Sequence, residues 1–174
     1  AINDLFDPNA LRYLLNYDAV MGAFGAAVEV ADGALCTPNT RAKLLAEPSP
    51  LSLPWAELAI DVVVEATGIF RHREQLEAHL SAGAKRVVLT VPAADDIDYT
   101  VVLGVNDDGL LPEHQIISNA SCTTNCLAPM AKVLNDTFGI AEGVINTVHA
   151  YTNDQRLADC LLYTSPSPRD LDLS

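Results

Sequence analysis

Apolar positions in this chain fall into short runs separated by polar turns, and their spacing predicts alternating helices and strands. Leu11, Leu14 and Leu15 recur at i, i+3 and i+4 behind Pro8. Proline suits the first helical position and the three leucines share a face, so a helix is predicted from Pro8 to about Asn16-Tyr17-Asp18. Residues 22–54 hold short apolar pieces broken by glycines and by Pro48, Pro50 and Pro54, and they show no period. From Ile60 the pattern becomes regular. Residues 61–66 form a Val-rich run of the kind buried on both faces in a parallel sheet. Residues 72–84 read as a helix with Leu76 and Leu80 on one stripe and Gly83 as its stop. Residues 86–91, 100–105 and 115–118 are further β-branched runs. This alternation predicts an α/β fold with a sheet that is at least partly parallel.

The runs end in small or polar residues: Asn3-Asp4, Thr67-Gly68, Thr90 before Pro92, Gly104 with Asn106, and Ser118-Asn119. Ligands gather at the carboxyl ends of strands in an open parallel sheet, so the five ends are expected to line one crevice. Turn residues end strands in any case, so only the set carries weight. Residues 127–138 are helical in pattern, with Pro129 expected to kink or split the helix, and residues 144–148 form another β-type run. Residues 161–174 are a Ser/Pro stretch without period, expected to lie outside the folded domain.

The chain of 174 residues is 49% hydrophobic and 19% charged, enough to bury a full core. Ten Lys and Arg stand against 23 Asp and Glu, a formal charge of -13. The resulting field repels phosphate backbones and anionic lipid, so neither nucleic acid nor a membrane surface is an expected partner. No apolar run approaches the roughly 20 residues of a membrane helix. The start, Ala1-Ile2-Asn3-Asp4-Leu5, lacks a positive leader and a signal-type apolar region. Cys36, Cys122, Cys126 and Cys160 have no secreted spacing pattern and read as thiols of a reducing, cytoplasmic compartment.

The densest chemistry lies in Ser118-Asn119-Ala120-Ser121-Cys122-Thr123-Thr124-Asn125-Cys126, between a strand-type run and a helical pattern. A cysteine at such a junction meets the positive end of the helix dipole and backbone N–H groups, which favour the thiolate. Cys122 is therefore placed to be a nucleophile. Cys126, four residues on, shares its helix face, but no second Cys or His pair stands at zinc-type spacing and the geometry is poor for a disulfide; it reads as a buried small apolar residue. Of the four histidines, His149 ends the run 144–148 and is the candidate base, whereas His72, His79 and His114 lie beside charges in helical or loop contexts. Ser121 and Thr123 alone would also serve as helix caps.

Residues 118–126, the continuation Leu127-Ala128-Pro129-Met130-Ala131-Lys132-Val133-Leu134, and Thr147-Val148-His149-Ala150-Tyr151-Thr152 resemble the active-site region of the phosphorylating class of glyceraldehyde-3-phosphate dehydrogenases. Supporting pieces follow in the same order at residues 1–4, 13–18, 61–70 and 82–85, at Pro92-Ala93 and at Gly104-Val105-Asn106. The resemblance covers residues 1–159 and implies a Rossmann-like doubly wound sheet followed by the start of an α+β catalytic domain. It implies that Cys122 attacks the aldehyde, that His149 is the base, and that NAD accepts the hydride. The thioester on Cys122 would then be cleaved by inorganic phosphate, dividing one hard step into two. Ser121 and Thr123 match hydroxyls that hold the attacking phosphate, and Thr152 one that holds the phosphate of glyceraldehyde 3-phosphate. Asp4 matches the ribose-binding acid, which favours NAD over NADP. Thr67, Gly68 and Phe70 resemble positions on the adenine side and Thr90 one toward the nicotinamide. A homotetramer is the oligomer the family implies.

The departures carry their own expectations. The Gly-rich phosphate loop that precedes the ribose acid by about 20 residues has no counterpart, Met21-Gly22-Ala23 stand where a His-Gly-Arg type run belongs, and the match stops near residue 159. The chain therefore reads as an internal piece of a longer enzyme: residues 1–121 a partial NAD-binding domain, 122–160 the start of a catalytic domain, 161–174 a foreign tail. Little or no turnover is expected of the piece itself, because substrate ligands are absent and a sheet edge is left open. Two alternatives from other classes are a Cys/His hydrolase, which has no use for Asp4 or NAD, and a non-catalytic nucleotide-binding or oligomerisation module with an ordinary thiol.

Overall fold

A computed structural model describes residues 1–152. The described residues divide into two compact units, one formed by Ala1–Glu47 with residues 145–152, the other by Pro48–Val144.

The first unit contains β1 (Ile2–Asn3), α1 (Pro8–Asn16), β2 (Glu29–Ala31), β3 (Ala34–Thr37) and β4 (Thr40–Leu45). Asp7 caps α1 by accepting from the N–H groups of Asn9 and Ala10, and Pro8 opens it as predicted. The sheet order is β1-β4-β3-β2, with β1 parallel to β4 and the other pairs antiparallel. The region without hydrophobic period thus holds a three-stranded meander. Ala31 pairs with Ala34 across Asp32-Gly33, whose φ of 47° and 67° are those of a two-residue primed hairpin turn. Thr37 closes the next turn by accepting from the N–H groups of Asn39 and Thr40.

The second unit contains β5 (Val62–Glu65), α2 (Arg73–Ser81), β6 (Arg86–Leu89), β7 (Tyr99–Thr100), β8 (Ile116–Ser118) and α3 (Cys122–Phe138). Its sheet runs β5-β6-β8-β7 and every pair is parallel, so the α/β class follows the expectation. Glu65 is in register with Leu89, Leu89 with Ser118, and Ser118 with Thr100, so all four carboxyl ends reach one edge. Leu76 of α2 packs with Val87, Leu89 and Ile116, and Phe70, Leu80 and Ile97 surround that cluster. Beyond α2 the chain turns at Gly83 with φ 109°, where a Cβ would come within 2.5–2.7 Å of Ala56, so only glycine fits.

Several expectations need correction. Strand β5 is buried on one face only: Val63 and Glu65 face inward, while Val62 and Val64 are 46% and 63% exposed. The run 100–105 is not a strand beyond Thr100, because the Asn106 side chain takes over the pairing, donating to the Thr100 carbonyl and accepting from Val102 N–H. The run 144–148 forms no strand; Val144 and Val148 are 99% exposed, and β propensity without a neighbouring strand makes no ladder. Helix α2 spans Arg73–Ser81 and not the full 72–84, while Gly83, directly after the C-cap Ala82, is its stop as expected. Helix α3 begins at Cys122 and continues through Pro129, which removes one ladder bond without splitting it. Among the described residues no helix is long and apolar enough to cross a membrane. Residues 161–174 and the end of the segment 122–160 lie outside the described residues.

Candidate active site

The carboxyl edge of the parallel sheet collects most of the candidate side chains of the second unit. Strand β8 leaves the core at Ser118, turns through Asn119 and Ala120, and enters α3 at Ser121. Ser121 is the N-cap: its Oγ accepts from Thr124 N–H at 3.0 Å, an interaction that stabilises a helix start by about 1 kcal/mol. Cys122 is the first helical residue and is exposed. Its Sγ lies 4.0 Å from the Thr123 hydroxyl. First-turn N–H groups of a helix have no acceptor within it, and they add to the positive end of a macrodipole built over 17 residues. A thiol there is favoured as thiolate, and an anion reaching the same place meets the Ser121 and Thr123 hydroxyls. Cys126 is exposed, not buried as expected.

The neighbouring strand ends carry Thr67, Gly68 and Thr90. Thr90 N–H and Oγ1–H both donate to the Glu65 carbonyl, at 3.1 and 3.3 Å, which ties the end of β6 to the end of β5. Thr67 donates through N–H and Oγ1–H to Glu65 Oε1, and its oxygen accepts from Ile69 N–H. Gly68 follows with φ 72° and open space where a Cβ would stand. Phe70 is half-buried against the Leu76 cluster.

Glu65 is the charged anchor of this edge. It is 4% exposed, and its second oxygen, Oε2, lies 3.1 Å from His79 Nε2. Burial pushes its pKa up, but hydrogen bonds from His79 and Thr67 outweigh that and hold the carboxyl below its ordinary value. Trp55 Nε1–H donates to His79 Nδ1 at 3.1 Å, so the imidazole hydrogen is assigned to Nε2, pointing at Glu65. A hydrogen-bonded chain, buried at Trp55, His79 and Glu65, therefore ends at the exposed Thr67 in the turn that presents Gly68.

In the first unit Asp4 directly follows β1, is half-buried, and accepts from Phe6 N–H through Oδ1 at 2.9 Å. His149 is exposed and its Nδ1 donates to the Ala150 carbonyl; Thr152 is exposed. The structure thus brings Thr67, Gly68, Thr90, Ser121, Cys122 and Thr123 to one sheet edge, and it places Asp4, His149 and Thr152 in the other unit. No group of three His, Cys, Asp or Glu arranged to hold a metal ion occurs among the described residues.

Sequence reasoning missed Glu65 and His79, and it named Ser118 and Asn125 only as members of the segment 118–126 and, for Ser118, as a strand end, without a role of their own. A carboxylate inside a valine run was the available signal for Glu65, since an inward-facing charge needs partners. His79, set aside as one of three histidines beside charges, is 3% exposed.

Two descriptions of one protein family match the chain: "Glyceraldehyde 3-phosphate dehydrogenase, NAD binding domain" over residues 1–73 and "Glyceraldehyde 3-phosphate dehydrogenase, C-terminal domain" over residues 121–166. The chain is 53% identical over 159 residues to glyceraldehyde-3-phosphate dehydrogenase of Thermotoga maritima, covering 91% of this chain and 47% of that protein. It is 52% identical over 164 residues to the protein of that name from Borreliella burgdorferi, covering 91% and 49%. For that of Geobacillus stearothermophilus the identity is 51% over 160 residues, covering 91% and 48%. The chain spans about half the length of these curated relatives.

Proposed function

Since the chain belongs to the glyceraldehyde-3-phosphate dehydrogenase family, we propose that its residues serve the NAD-dependent, phosphorylating oxidation of glyceraldehyde 3-phosphate to an acyl phosphate. The observation that carries this reading is Cys122: an exposed cysteine at the first position of a long helix, behind a serine cap, at the carboxyl edge of four parallel strands.

Cys122 Sγ attacks the aldehyde carbon, and the carbonyl oxygen takes up a proton to give a thiohemiacetal. His149 is the base that first favours the thiolate and then removes the hydroxyl proton as the carbon is oxidised. An acyl group is left on the sulfur. Inorganic phosphate attacks that thioester, the C–S bond breaks, and Cys122 is regenerated as thiolate. Ser121 and Thr123 hold the attacking phosphate with neutral hydroxyls at a helix start, which a chain of charge -13 can do without a basic pocket. Thr152 holds the phosphate of the substrate.

NAD fits the residues present. Gly68 leaves open space at the edge where a side chain would otherwise stand, and the neighbouring Thr67 and Thr90 are neutral and polar. Asp4 presents a carboxylate beyond β1, with Oδ1 accepting from Phe6 N–H, and would hold the ribose; a 2'-phosphate would be repelled there. Thr67, Gly68 and Phe70 would lie along the adenine half and Thr90 toward the nicotinamide. When bound, NAD supplies the two-electron acceptor. Residues 1–121 are on this reading part of the cofactor domain and 122–160 the beginning of the catalytic domain. The whole protein would act in the cytoplasm as a homotetramer.

The test is site-resolved alkylation of the full chain, mapped by peptide mass. Cys122 should label faster than Cys126, one helical turn away and also exposed, and glyceraldehyde 3-phosphate with NAD should protect it. Equal rates without protection would refute the assignment.

A further inference from the structure

The turn that delivers Cys122 to its helix is held from both sides by side chains to which no role has been given. Ala120 has φ 57°, a left-handed conformation that a residue with a Cβ rarely adopts, and it is buried. On the strand side, Ser118 is wholly buried; its Oγ–H donates to the Val91 carbonyl at 2.8 Å and its oxygen accepts from Ala120 N–H at 3.0 Å. On the helix side, Asn125 Nδ2 donates to the carbonyls of Asn119 at 2.7 Å and Ser121 at 2.9 Å, the two residues that flank Ala120. The peptide groups on either side of this turn are therefore pinned by two side chains: the one joining Asn119 to Ala120 is held at both its carbonyl and its N–H, and the one joining Ser121 to Cys122 at its carbonyl.

We propose that Ser118 and Asn125 are positioning residues that clamp this left-handed turn and so set how the Cys122 thiol meets the first turn of α3. Left alone, a non-glycine residue at positive φ relaxes toward negative φ, which rotates the peptide groups on either side. Here relaxation of Ala120 would break the Ser118 bond and move one or both carbonyls away from Asn125. Because Ser121 is both a clamped residue and the N-cap, the same rotation would draw its Oγ from Thr124 N–H and loosen the first turn on which Cys122 sits. The clamp has a third attachment through the Val91 carbonyl, which lies just beyond β6. The segment following one strand thereby fixes the turn following its neighbour. Ser118 and Asn125 touch no reacting atom in this account; they act through Ala120 and Ser121. The proposal rests on the reading of Cys122 as the nucleophile.

The experiment compares alkylation rates of Cys122, Cys126 and Cys36 in the full chain and in Ser118→Ala, Asn125→Ala and the pair Ser118→Ala with Ala120→Gly. Asn125→Ala guards against misfolding, because alanine is the better helix former. A rise of one unit in the thiol pKa cuts thiolate at neutral pH about tenfold and raises its intrinsic reactivity about threefold, so a net fall of about threefold or more is expected at Cys122 in both single variants. The midpoint of its pH profile should move up. Cys36, half-buried in the first unit, should be unchanged, and glycine at position 120, which takes positive φ without strain, should restore much of the rate. An unchanged Cys122 rate in either single variant would overturn the clamp. So would a fall accompanied by faster labelling of Cys36, the mark of general loosening. If Cys122 in the natural chain labels no faster than Cys126, the nucleophile reading fails and the clamp fails with it.

Discussion

His79 Nε2 and Glu65 Oε2 lie 3.1 Å apart in a site where both side chains are almost wholly buried. The pair is completed by Trp55 on the imidazole and Thr67 on the carboxylate, so each buried polar atom has a partner. Removing one end leaves the next group unsatisfied, at a cost of about 1–3 kcal/mol. Trp55→Phe, which keeps most of the ring packing and strands His79 Nδ1, should therefore lower unfolding free energy in urea by about that amount. Nitrogen NMR of His79 should show hydrogen on Nε2, and hydrogen on Nδ1 would contradict the assignment.

Stability should depend on pH through the same carboxylate. The folded Glu65 carboxyl titrates below its ordinary value, so the unfolded chain binds more protons as pH falls into the carboxylate range. Its contribution is complete above the unfolded value and disappears as pH drops through the folded one. Asp98 behaves alike: burial raises its pKa, but the N–H groups of Ile116 and Gln115 and the Arg73 guanidinium together lower it. Thermal unfolding from about pH 6 down to about pH 3 should show a declining midpoint, and Asp98→Asn should flatten the slope while reducing stability at neutral pH.

Glycines at positive φ should separate strain from collision. At Gly83 an alanine Cβ meets Ala56 at 2.5–2.7 Å, including its backbone, and strain plus overpacking should cost about 2–5 kcal/mol. At Gly68 the Cβ meets nothing, so Gly68→Ala should cost only about 1–2 kcal/mol of backbone strain. Denaturant midpoints of the two variants check the order, and on the proposed function Gly68→Ala should also weaken NAD binding.

Ser121→Ala removes the cap of α3 and should cost about 1 kcal/mol, read by urea unfolding. Thr123→Val removes a hydroxyl that caps nothing in α3 and should be close to neutral in the same assay. If both hydroxyls hold phosphate as proposed, both substitutions made in the whole protein should impair phosphate-dependent thioester cleavage regardless of that difference in stability.

What the sequence made legible follows from where the physics is local. The α2 helix, its Gly83 stop, the parallel strands and the strand-to-helix position of Cys122 are written in periodicity and small residues, and the structure has them. The antiparallel meander was hidden because its strands are three to six residues long and its apolar positions do not alternate, although Asp32-Gly33 was a readable hairpin signal. Residues 144–148 look like a strand because β propensity is local, but a ladder needs a neighbour. Glu65, His79 and Ser118 owe their roles to partners 14, 24 and 27 residues away, which no local pattern encodes, whereas Asn125 bonds to carbonyls only six and four residues back that the left-handed turn at Ala120 brings to it. At the candidate site the exposed chemistry was legible and its buried support was not.

On the proposed function the Cys122 sulfur is held ready as thiolate and His149 serves as its base. The most direct measurement is the pH profile of Cys122 alkylation, with Cys126 as internal reference, in the natural chain and in His149→Asn. The Cys122 midpoint should lie below that of Cys126 in the natural chain and shift toward it in the variant. Profiles that coincide for both cysteines and do not change on replacing His149 would contradict it.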